Sequence, residues 1–181
     1  MSINQEAAAF SLYAYLSSTA NRPALPPQWG IAKDRTEGTQ GFAYAAFLNT
    51  STHEVVIAFR GSDDGADWLT NAGLTIAQER QGAVIAAQYI NEYGWGNVRF
   101  TGHSLGGGIA ATMAVWFNRP ATVFDPAPTQ AVATDLAVVN SVIGLLGGGS
   151  AHQSIQDYSA ALTVQFALRE SNVTSYYAPG S

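Results

Sequence analysis

Apolar residues along this chain recur at two alternating periods. From Asn4 to Ser17 they fall at helical spacing, with Ala7, Phe10, Tyr13 and Ala14 on one stripe, and this predicts a first helix. NRPALPPQWG, residues 21–30, holds three prolines and reads as a loop. Two short apolar runs follow, GFAYAAFLN at 41–49 and VVIAFRG at 55–61, separated by TSTHE. They predict a hairpin whose second strand, continuous and β-branched at its start, is buried on both faces. Gln78 to Tyr93 has the helical period again, with Gly94 just past its end. NVRFTG at 97–102 reads as a strand, Leu105 to Phe117 as a helix and ATVFD at 121–125 as a further strand. Alternation of strand and helix from Val55 onward predicts a mostly parallel α/β sheet. Beyond Pro126 the pattern weakens. Thr129 to Leu146 is apolar with helical potential, GGGSAH at 147–152 is a break, and Ser154 to Leu168 is a last helix.

One stretch does not fit a plain alternation. FTGHSLGGG, residues 100–108, sets four glycines around Ser104 and His103 at a strand-to-helix junction. GHSLG matches G-x-S-x-G, which needs that junction. A sharp turn there presents a serine hydroxyl to open space, and Gly102 and Gly106 are the positions where a Cβ would collide with neighbouring chain. The hydroxyl then lies at a helix N-terminus, whose dipole favours a developing oxyanion.

Composition narrows the classes. The chain has 181 residues, enough for one domain over 1–181 with a substantial core. It is 47% hydrophobic and only 12% charged, yet no apolar run reaches membrane-spanning length. The net charge is −5 and Lys33 is the single lysine, so nucleic acid is excluded as a partner. With no cysteine, disulfides and thiolate metal sites are excluded too. The start, MSINQEAAAFSLYAYL, has no basic n-region and does not read as a Sec signal. The expectation is export by a route the chain itself does not encode, with the cytoplasm as the alternative. SYYAPGS reads as a domain edge, which leaves a larger parent open.

VVIAFRGSDDGADWLTNAGL, followed some forty residues later by VRFTGHSLGGGIAA, resembles the class 3 lipases, a branch of the α/β-hydrolases, over about residues 41–118. The resemblance implies a compact α/β-hydrolase: a mostly parallel sheet with an N-terminal antiparallel hairpin and helices on both faces. It implies Ser104 as nucleophile. It also implies an oxyanion hole made by Ser62, which follows the F-R-G run, and by the backbone N–H of Leu105. Two N–H donors facing the oxyanion, one from the carboxyl end of a neighbouring strand, are what the chemistry itself requires. The family's W-L-x-D is here Trp68, Leu69, Thr70, Asn71, which leaves open whether Asn71, Asp63, Asp64 or Asp67 fixes the Ser62 hydroxyl.

A serine nucleophile needs a base and an acid. His53 precedes its strand and so lies about 20 Å from the site. His103, next to the nucleophile, is turned away from the hydroxyl. His152 follows the nucleophile in chain order, as this fold requires, and AHQSIQDY resembles C-terminal segments of some bacterial lipase-like hydrolases. His152 is therefore the expected base. Between Ser104 and His152 the acids are Asp125, at the end of a strand, and Asp135, within a predicted helix. Class 3 lipases usually draw their acid one strand later. FDPAP instead resembles the D-P-A segment of pancreatic-type lipases, and Asp125 is the expected acid, with Asp157 as its competitor.

Trp68 and Leu69 lie where class 3 lipases carry a lid, and 136–149 is an apolar segment that could line an acyl site. The expected function is hydrolysis of lipid carboxylic esters through an acyl-enzyme, by a monomer acting at a lipid–water interface and needing no metal or cofactor. The alternatives are a small-ester hydrolase or thioesterase of the same chemistry and an inactive lipid- or partner-binding module.

Overall fold

The computed structural model describes residues 2–60 and 72–179. Among them the sheet has six strands, hydrogen-bonded in chain order: β1 (Trp29–Glu37), β2 (Ala43–Asn49), β3 (Val55–Phe59), β4 (Val98–His103), β5 (Ala121–Phe124) and β6 (Val173–Tyr176). β1–β2 and β2–β3 pair antiparallel, and β3 to β6 run parallel. The mixed sheet with its N-terminal hairpin is the one the sequence predicts.

Strand alternation sorts the core onto two faces. Val55, Ile57 and Phe59 of β3 and Val98 and Phe100 of β4 point to one side, against α2 (Ala72–Tyr93) and α3 (Leu105–Phe117). Ala45, Phe47, Val56 and Ala58 point to the other, where Phe10, Tyr13 and Ala14 of α1 (Ile3–Tyr15) cover them. Phe10 stacks on Phe47 at 4.3 Å between ring centroids, and the Thr101 hydroxyl donates to Ala7 O on the same side. All thirteen residues of α3 are buried. Between β5 and β6 the chain adds α4 (Gln130–Ala133), α5 (Leu136–Leu145), α6 (Ser150–Ala160) and α7 (Leu162–Arg169), and α4, α6 and α7 each pack on α3. No described helix is long and apolar enough to cross a membrane.

Several boundaries differ from expectation. Residues 29 and 30, assigned to the proline loop, open β1, an edge strand with irregular register whose mixed polarity masks its period. The helix expected over 129–146 is two: Asp135, expected on a solvated helix face, instead caps α5, accepting from the N–H groups of Ala137 and Val138. The break GGGSAH is shorter than expected, because Ser150, Ala151 and His152 already form the first turn of α6. That helix and α7 meet at Ala161, with φ −142° and ψ 49°.

Candidate active site

β4 ends at His103, and Ser104 turns the chain directly into α3. Ser104 has φ 54° and ψ −125°, a conformation that costs a non-glycine residue of order 1–3 kcal/mol. Surrounding contacts hold it. Its N–H donates to Phe124 O at 3.0 Å, and its carbonyl accepts from Gly108 N and Ala127 N, both at 3.0 Å. The flanking glycines permit the turn for a packing reason. A Cβ on Gly102 would lie 2.3 Å from Gly106 O, and one on Gly106 would lie 2.2 Å from Phe59 O. Strand, turn and helix could not approach this closely with any side chain there. Ser104 is half-buried, and its hydroxyl makes no hydrogen bond to a described residue. Leu105 N–H is the first of α3, where amide hydrogens lack intrahelical acceptors and the helix dipole is positive.

Asp125 follows β5, the neighbour of β4, and so reaches the same edge of the sheet as Ser104. Its backbone is also in the left-handed region, with φ 42°. The N–H donates to Tyr176 O at 2.8 Å, and Oδ1 accepts from Ala178 N at 2.7 Å. Oδ2 lies 3.9 Å from Nε2 of His103. His103 projects on the α1 side of the sheet, as Thr101 does two residues earlier, and meets the Tyr15 ring edge-on at 6.1 Å. The structure thus brings Ser104, Leu105, Asp125 and His103 together.

His152 is not brought to them. Its helix docks at the far end of α3: the Ser154 hydroxyl donates to Trp116 O at 3.3 Å. Trp116 is twelve residues beyond Ser104, about 18 Å along the helix axis. The expectation that a flexible segment carries His152 over the sheet is corrected by α6, whose Ala151, Ser154, Ile155 and Tyr158 are buried in that distant contact. Asp157 accepts from Gln153 on the same helix and lines a cleft with Trp95, Asn118 and Arg169, again at that end. His53 sits in the β2–β3 turn, at the opposite edge from Ser104, as expected. Ser62, Trp68, Leu69 and Asn71, with Asp63, Asp64 and Asp67, lie outside the described residues.

The sequence reading set His103 aside. The signal that could have retained it is the strand period, which puts residues 99, 101 and 103 on one face, opposite Phe100 and Gly102. A second residue that drew no notice is Glu79, in the middle of α2. It is fully buried between α2 and α3, where Oε1 accepts from the Thr112 hydroxyl at 3.0 Å and Oε2 has no partner among the described residues. Desolvation pushes its carboxyl up to about 8, and the Thr112 bond opposes this only in part.

A 91-residue stretch is 35% identical to the extracellular phospholipase A1 of Serratia liquefaciens, covering 48% of this chain. The chain spans 28% of the length of that relative. The family of Tle-like phospholipase domains matches over residues 18–174, from just past α1 into β6. A match over that much of 181 residues includes the Ser104 turn, Asp125 and every strand from β1 to β5, and the chain belongs to the Tle-like phospholipase domain family.

Proposed function

We propose that this chain cleaves a carboxylic ester bond of phospholipids through an acyl-enzyme on Ser104. The observation that carries the reading is the strained Ser104 turn, clamped between Gly102 and Gly106 at the N-terminus of a fully buried helix, within a phospholipase-domain match. The name of the Serratia relative supports a phospholipid ester as the bond cleaved.

In this mechanism Ser104 Oγ bonds to the ester carbonyl carbon as its proton passes to a base. The oxyanion faces Leu105 N–H at the positive end of α3 and, on the class 3 lipase resemblance, Ser62. Collapse breaks the ester C–O bond, the departing alcohol takes up the proton, and the acyl group stays on Ser104. Water then repeats the sequence and releases the fatty acid. Asp125 is the carboxylate that holds the imidazole at this edge and stabilises its charged form. Reaching Ser104 would require His152 to pull α6 out of the core. The base drawn from the described residues is therefore His103, whose Nε2 faces Asp125.

A fluorophosphonate probe and fatty-acid release from phosphatidylcholine vesicles test the reading together. The unaltered chain is expected to label and to release fatty acid. Ser104→Ala is expected not to label, and to lose on the order of 10⁴ or more in rate with its fold intact. Retention of a tenth of the activity by Ser104→Ala would overturn the assignment.

A further inference from the structure

A groove of about 370 Å³ opens beside the elbow, on the α1 face of the sheet. Ala8, Ser11, Leu12 and Tyr15 form one wall, and His103 and Phe124 form the other. The α1 wall is a second stripe at helical spacing, distinct from the Ala7, Phe10 and Ala14 stripe that is buried against the sheet. Leu12 is 50% exposed on it, a large aliphatic side chain facing the opening. The opposite wall belongs to the nucleophile's own supports. Phe124 O accepts the Ser104 N–H, and His103 is joined to Ser104 by a peptide bond. Phe124 is backed by Tyr176, stacked at 5.7 Å.

We infer that this groove holds the acyl chain of the bound ester, with Leu12, Tyr15 and Phe124 setting the chain length accepted. The inference rests on the reading of Ser104 as nucleophile and deepens it. Three observations choose the occupant. The volume falls within the range of small-molecule sites. No lysine or arginine is among the described lining residues, so a phosphate headgroup would find no cation there. His103, part of the groove's wall, adjoins Ser104 in the chain, and an acyl chain must begin at Ser104 once its carbonyl carbon is bonded to Oγ.

Because the chain has no cysteine, Leu12→Cys introduces a single thiol that alkyl methanethiosulfonates convert to a mixed disulfide, releasing sulfinate. The readout is the ratio of hydrolysis rates for a dodecanoyl and a butanoyl p-nitrophenyl ester. A decyl label is expected to lower that ratio about tenfold, because it occupies apolar surface the longer chain needs. A methyl label is expected to lower it less, and dithiothreitol to restore it. Restoration also shows that the variant is folded. The same labels at Val164→Cys, on the exposed side of α7, are the control. If the ratio moves no more at position 12 than at position 164, the groove does not hold the acyl chain. Failure of the underlying reading looks different: the unlabelled chain hydrolyses neither ester, or Ser104→Ala hydrolyses both, and the groove's role falls with it.

Discussion

His103 and His152 stand for opposite forecasts about one proton. His152→Ala is expected to leave kcat on a short ester within about twofold, since its helix docks through Ser154 on Trp116 at the far end of α3. His103→Ala is expected to lower kcat by on the order of 10² to 10⁴, the usual contribution of a general base. If both variants keep the rate, the proton goes to a group outside the described residues. The case also shows what a sequence encodes at this scale. Ser104 was legible because its turn needs glycines at two fixed offsets, and the contacts at Gly102 and Gly106 are short enough to make that need absolute. The place of Asp125 was legible because a strand end fixes an edge of the sheet. His152 was chosen by chain order, and order contains no distance: three glycines before a histidine read as a loop, whereas one more turn of helix carries it elsewhere.

The helices between β5 and β6 are organised by a single side chain. Arg169 ends α7, is 6% exposed, and donates to the carbonyls of Val115 and Trp116 at the last turn of α3 and of Ser154 in α6. It also lies over the Tyr158 ring at 5.4 Å. Three elements therefore share one cation at the C-terminus of α3, where positive charge is favoured. Arg169→Ala strands buried carbonyls as well as removing bonds, and a loss of about 3 kcal/mol is expected in urea unfolding. Asp135→Ala, which removes only a helix cap, is expected to cost about 1 kcal/mol. If the two cost the same, Arg169 is not holding the helices together. None of this was visible beforehand, because the bonds to Val115 and Trp116 span more than fifty positions and no local pattern marks them. Elements that are continuously apolar between clear turn signals, such as α3 and β3, were legible. The edge strands were not: β1 is mixed in polarity and β6 is four residues long, so neighbours rather than pattern define them.

Across the whole molecule, one buried carboxyl ties stability to pH. Glu79 titrates near 4.5 when free and near 8 in the fold. The folded state thus holds a proton the unfolded state has released throughout that window. The resulting contribution is fully present below about 4.5 and is lost as pH rises through about 8, at roughly 1.4 kcal/mol per pH unit. Glu79→Gln keeps the shape and removes the titration. Its urea midpoint is expected to exceed that of the unaltered chain at pH 8, and the difference to shrink towards pH 5. Equal midpoints at both values would mean that Glu79 is not held neutral. The sheet as a whole carries a different consequence, through β6. That strand is four residues long and lies at the edge, yet Tyr176 O takes the Asp125 N–H, and Ala178, just beyond, donates to its carboxylate. Short edge strands open locally long before a protein melts. Each fraying of β6 takes the Tyr176 and Ala178 bonds from Asp125 while β4, β5 and α3 stay paired, so if Asp125 acts as proposed, activity on warming falls before the core melts.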